Sequence, residues 1–160
     1  MENSHFKRWI LAGLLLLTPL AAVAAEASAT VVAARGNVSA ISGDVERVLG
    51  QGDTVFVEEK IITADRSFAV LQFVDGAKVT VRPNSAVTVE EYAYSGNDSD
   101  AATLNLVEGG LRVITGAMAK THPENYKVKT PVALMGVRGT EFSIMLCGDQ
   151  ICEPGQTNGY

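Results

Sequence analysis

Two cysteines, Cys147 and Cys152, are the residues best placed to do covalent chemistry, with Gly148-Asp149-Gln150-Ile151 between them. A thiol pair can close a disulfide, cycle as a redox couple, or supply half of a metal site. Structural zinc takes four ligands, and beyond residue 25 the sequence offers a single histidine, His122. Redox couples favour the tighter Cys-x-x-Cys spacing. The Gly-Asp pair suits a turn, so a structural disulfide closing a short C-terminal loop is expected, with no metal and no cofactor.

The other polar residues assemble no catalytic set. His122 stands beside Pro123 in a polar stretch, and no serine or cysteine nucleophile is marked out near it, so it reads as a solvated loop residue. Glu90 and Glu91 are adjacent in an alternating segment, which sends their side chains to opposite faces and prevents acid–base pairing. Asn97, Asp98 and Asp100 hint at calcium, but an EF-hand loop needs a glycine at its sixth position, and none stands there counting from Asn97. Arg138, set between Gly136 and Gly139, reads as a donor to turn carbonyls, with a recognition role as the alternative. The two glycines precede a strand pattern and not a helix, so they form no phosphate loop.

The elements that hold these residues are best seen in residues 130–144, Thr-Pro-Val-Ala-Leu-Met-Gly-Val-Arg-Gly-Thr-Glu-Phe-Ser-Ile. Pro131 fixes its own φ and keeps Thr130 extended. Glycine inside an apolar, β-branched run marks a bend or a close backbone approach. The pattern predicts a strand ending at Leu134 or Met135, a structural corner of Gly136, Arg138, Gly139 and Thr140 anchored by Pro131, and a strand restarting at Glu141. Phe142 and Ile144 then share a face opposite Ser143.

Lys7 and Arg8, the apolar residues 10–17, the break at Thr18-Pro19 and the small residues 22–25 have the form of a signal peptide, residues 1–25. The apolar stretch is interrupted and at the lower limit for a span, so cleavage is expected, with an uncleaved anchor as the alternative. Export to the periplasm or beyond follows, a setting in which disulfides persist. Cleavage leaves about 135 residues, enough for one domain with a proper core. It also takes the formal charge from −5 to about −6 and removes Trp9, the single tryptophan. An acidic chain without a Lys/Arg run argues against nucleic acid and anionic membranes as partners.

Short alternating segments fill the rest. Val38 and Ala40 follow the Arg35-Gly36-Asn37 turn, Val45 opens another short run, and Val55 and Val57 share a face. Glu58-Glu59-Lys60 reads as a solvated charge run. Ala69, Leu71 and Phe73 alternate cleanly before Asp75-Gly76, and Val79 and Val81 after it. A two-residue Asp-Gly loop would set Val79 opposite Gln72, so an odd loop or a corner between sheets is expected, with Val79 on the face of Leu71. Further pairs are Val87 with Val89, Leu104 with Leu106, Leu111 with Val113, and Tyr126 with Val128. No window has a convincing helical period. The fold class is therefore all-β, a sandwich or short solenoid-like roll over residues 26–146, with residues 147–160 as a disulfide-closed turn and tail.

The turns and their order carry a resemblance. Gly36-Asn37-Val38, Gly52-Asp53, Ala69-x-Leu71-x-Phe73-x-Asp75-Gly76, Val79-x-Val81, Glu108-Gly109-Gly110, Thr130-Pro131 and Gly136-Val137-Arg138-Gly139-Thr140-Glu141-Phe142 together resemble the FecR domain family, over about residues 31–144. The resemblance implies an all-β extracytoplasmic module, partly solenoid-like. In its best-known members the module follows a cytoplasmic anti-sigma segment and a membrane helix, and relays a signal from an outer-membrane iron transporter. In this sequence it follows the targeting segment alone, so what carries over is a non-enzymatic periplasmic binding or scaffolding role, with an envelope protein or cell-wall component as partner and no membrane span after processing. A wall-associated structural protein, or a hydrolase using carboxylates, is the alternative. Contact is expected at an exposed strand edge or around Tyr92 and Tyr94, whose plainer reading is that they cover the sheet.

Overall fold

Each apolar–polar alternation of the sequence becomes a short strand, and short corners pass the chain from one layer to the other. The computed structural model describes residues 26–147; the targeting segment, and Cys152 with its expected bridge, lie outside them. The first seven strands are β1 (Ala27–Arg35), β2 (Val38–Ser42), β3 (Val45–Val48), β4 (Thr54–Phe56), β5 (Lys60–Thr63), β6 (Phe68–Phe73) and β7 (Lys78–Val81). They are followed by β8 (Ser85–Ala93), β9 (Ala101–Glu108), β10 (Gly110–Ile114), β11 (Tyr126–Lys129), β12 (Leu134–Gly136) and β13 (Glu141–Met145). One sheet runs β13-β10-β7-β6-β1-β4, the other β12-β11-β9-β8-β5-β2-β3. Every pairing is antiparallel except β9 with β11, which makes the fold a sandwich and not a solenoid of stacked parallel turns.

The inward residues form one core, with Val31, Ile61, Leu71, Val79, Val89, Leu104, Leu111 and Val128 all essentially inaccessible. The β6–β7 hairpin has the odd parity that alternation demands. Leu71 pairs with Val79 and Gln72 with Lys78, and Phe73 N–H donates to Ala77 O at 2.8 Å, leaving a three-residue loop of Val74, Asp75 and Gly76.

A corner can also be nearly without length. β9 and β10 are joined by Gly109 alone, at φ +74°, and a Cβ there would lie 2.2 Å from Asn84 O. Only glycine lets the chain change sheets at that point. Ser85 closes the corner, its Oγ accepting from Gly110 N–H at 2.8 Å.

Local structure departs from the sequence reading in several places. Val89 pairs with Leu104 but Glu91 with Thr103, so Glu90 is an extra residue in β8. This bulge resets the two-residue period. Glu90 and Glu91 both stay out of the core, against the expectation of opposite faces, and Tyr92 turns inward. Glu59 is not solvated: it is 5% exposed and ion-paired to Arg47. Between β10 and β11 a single helical turn, α1 (Met118–Thr121), and a 3₁₀ turn (Pro123–Asn125) occupy a stretch with no helical period. Burial of Met118 and Ala119 holds α1 against the core.

Candidate interaction surface

The two lateral sides of the sandwich differ in how their strand edges are managed. On one side β3 and β4 end their respective sheets, and a part-buried ion pair links Arg47 of β3 to Glu59, just past the end of β4. Arg47 donates from Nη2 to Glu59 Oε2 at 2.8 Å and to Thr54 O at 2.6 Å, and its guanidinium carbon lies 5.8 Å from the Phe56 ring centroid. Glu59 also accepts from Phe56 N–H at 2.9 Å. An inward-turned charge with all its partners in place is a device that keeps a strand edge from pairing elsewhere.

On the other side β12 and β13 end the two sheets among the described residues. The corner crosses from one to the other through Val137, Arg138, Gly139 and Thr140, and Val137 alone of these is buried. Gly139 has φ +130° with nothing within 4 Å of a Cβ placed there, so its need is conformational and not steric. Thr115 ties the corner down: its hydroxyl donates to Gly139 O at 2.8 Å and its N–H to Thr140 O at 2.9 Å. Arg138 does not take that part, contrary to its expected role as the carbonyl donor. It is exposed and makes no hydrogen bond or ion pair with the described residues. Pro131 sits in the β11–β12 turn, closed by Thr130 N–H donating to Ala133 O at 2.8 Å and by Ala133 N–H donating to Thr130 Oγ1 at 3.0 Å.

That turn carries two exposed apolar side chains, Val132 at 89% and Leu134 at 62%; on the opposite side β3 exposes Val48 at 81% and Val45 at 68%. Beside it a shallow groove of about 460 Å³ is walled by Val107, Pro131 and Leu134, with Glu90, Asn105 and Lys129 along its polar side. Glu90 accepts from Lys129 Nζ and from Asn105 Nδ2. The Lys129 bond is the main reason its carboxyl lies below the ordinary value, against the opposing effect of burial.

Tyr92 is not a contact residue: it is 2% exposed. The bulge at Glu90 aims it into the core, where it stacks on Phe73 at 4.2 Å between centroids and meets Tyr126 edge-on at 6.3 Å. Its hydroxyl donates to Asp75 Oδ1 at 2.6 Å. Asp75 further accepts from Ala77 N–H at 2.9 Å and Met118 N–H at 3.2 Å. Burial, then the neighbouring Tyr126 and Asp75, push the Tyr92 hydroxyl far above the ordinary phenol range. Tyr94 is half-buried against the core and available only in part. Asp100 spends its carboxylate on the N–H groups of Ser95 and Gly96, at 2.7 and 2.9 Å, which makes the 95–100 loop self-contained. His122 lies against the same loop, Nε2 3.2 Å from Asp98 Oδ1, with its ring largely covered and not solvated.

A family model described as FecR protein matches residues 59–152. The chain belongs to the FecR family. No curated protein and no solved structure matches it. The FecR match opens at Glu59, inside the ion pair that seals the β3–β4 side, and runs through both edge strands of the other side. β1 to β4 precede the match, yet β1 lies between β6 and β4 and is integral to the FecR sandwich. FecR proteins are a signalling and regulatory family, and all-β architecture is what this member has.

Proposed function

We propose that this FecR module is a non-enzymatic, exported binding unit of envelope signalling, which holds a protein partner against the β11–β12 turn and the groove beside it. The observation that carries the reading is the contrast between the two sides of the sandwich. Both expose apolar side chains, Val45 and Val48 on β3 and Val132 and Leu134 in the β11–β12 turn, but the first has its inward charge committed in the Arg47–Glu59 pair, while the second adjoins a groove with Glu90, Asn105 and Lys129 along its polar side. Apolar side chains gathered at a turn, rimmed by charge, have the make-up of an interface core with a polar rim. The resemblance to FecR modules that relay signals across the envelope supports the same assignment, with periplasmic placement following from the targeting segment.

The test is photo-cross-linking from position 132 in intact cells. A reproducible envelope protein captured there, and lost in Val132→Lys/Leu134→Lys, is the expected result. Capture of peptidoglycan alone would favour a wall-associated structural role, and no capture from this position would refute the binding site.

A further inference from the structure

The outer edge of β13, the end of its sheet among the described residues, has a parity that can be read from its other side. Thr115 N–H donates to Thr140 O at 2.9 Å and Leu146 N–H donates to Gly109 O at 2.8 Å. These belong to the same register as Val113 with Phe142 and Leu111 with Ile144. Hydrogen-bonded pairs alternate along an antiparallel ladder, so Thr140, Phe142, Ile144 and Leu146 turn their main-chain groups toward β10. Glu141, Ser143 and Met145 turn theirs outward, at the end of the sheet among the described residues. Phe142 and Ile144 are only half-buried against the core, and Met145 is 51% exposed.

A two-fold axis joins a strand edge to its own copy through pairs spaced equally about one central residue. Centred on Ser143, the pairing sets Phe142 opposite Ile144 of the second copy on the core face, and Glu141 opposite Met145 on the outer face. Apolar meets apolar, and no like charges oppose. Glu141 already has its cation, since Arg112 Nη2 lies 2.7 Å from its carboxylate within the same copy. The β3 edge is the opposite case. An axis through Glu46 or Arg47 sets like charges against each other, and Arg47 is committed to Glu59.

We propose that β13 is a dimerisation edge, at which two copies of this chain pair antiparallel about Ser143 to form one continuous sheet. The proposal stands apart from the β11–β12 binding site, because it uses main-chain groups of the other sheet. Residues 148–160, which follow β13, are the competing occupant of the edge.

Sedimentation of the purified whole protein across a concentration series tests it. The wild type is expected to shift from monomer to dimer with rising concentration. Ser143→Lys and Ser143→Asp, each placing like charges across the axis at an exposed position, are expected to remain monomeric with unfolding transitions close to wild type. Mixed in equal amounts they should sediment as a heterodimer, a rescue that loss of folding cannot produce. A wild type that stays monomeric throughout, with the edge taken by residues 148–160 or left unused, overturns the proposal. So does a dimer that Ser143→Lys leaves intact, or a mixture that fails to associate. None of these outcomes bears on capture from position 132, so the two readings fail separately.

Discussion

The Tyr92 hydroxyl donates to Asp75 Oδ1 at 2.6 Å, a bond that joins the two sheets through their interior. Asp75 lies in the β6–β7 turn of one sheet and Tyr92 in β8 of the other, and the same carboxylate receives the first N–H of α1. Removing one donor from a buried carboxylate costs about 1–3 kcal/mol, so Tyr92→Phe should destabilise by that amount. Asp75→Ala leaves the Tyr92 hydroxyl and two N–H groups unpaired and should cost more than Tyr92→Phe. Urea unfolding of the two variants checks the order, and equal losses would contradict it.

Arg47→Ala strands the Glu59 carboxylate, which is 6% exposed, with Phe56 N–H as its remaining hydrogen-bond donor. The Arg47 side chain is 35% exposed, so solvent softens the loss to roughly 2–3 kcal/mol, below that of a fully buried pair. The double variant Arg47→Met/Glu59→Gln should recover part of it. A double-mutant cycle in denaturant decides.

Gly139→Val should destabilise by about 1–3 kcal/mol, because a β-branched residue is held at φ +130° with no clash to add. Gly136→Ala, where φ is ordinary and nothing lies within 4 Å of the added carbon, should stay within about 0.5 kcal/mol of wild type. Thermal melts of both variants separate conformation from crowding.

The Glu90 carboxyl is lowered from its ordinary value of 4.5 in the folded state, chiefly by the Lys129 bond. A depressed folded value gives stability that is present above the unfolded value and is lost as pH falls through the folded one. Lys129→Met should therefore raise the Glu90 titration midpoint in NMR and flatten the acid limb of the stability curve. The change in stability is expected to stay below about 1 kcal/mol for so open a pair.

Cys147 and Cys152 are expected to be paired in the air-oxidised protein, closing a loop that contributes about 2 kcal/mol. Thiol titration of the native chain should find no free sulfhydryl. Two titratable thiols would contradict the pairing.

Strand positions were largely legible because period-two alternation is a local signal, and the Leu71–Val79 parity followed from it. The inward turn of Tyr92 was not legible. A one-residue bulge inside Val89-Glu90-Glu91-Tyr92 shifts every later side chain, and no turn former marks it. Glu59 was misread for a related reason: its partner is twelve residues away on another strand, and a charge run viewed alone looks solvated. At the interaction surface the corner residues stood out through their glycines and Pro131. The exposed ridge of Val132 and Leu134 did not, since an apolar residue in sequence says nothing of which side of the sheet remains uncovered.

β1 has consequences for the order of events in folding. Its main partner is β6, with Val31 against Leu71, and β2 pairs with β5, with Ala40 against Ile61. A chain that emerges from its N-terminus therefore presents its first strand long before the neighbour that completes it. Until β6 has been made, Ala29 and Thr30 have only the short β4 to pair with. The sandwich must close around its own beginning, which favours slow, cooperative folding over strand-by-strand growth, and a fragment starting at the FecR match would leave β6 without its β1 neighbour.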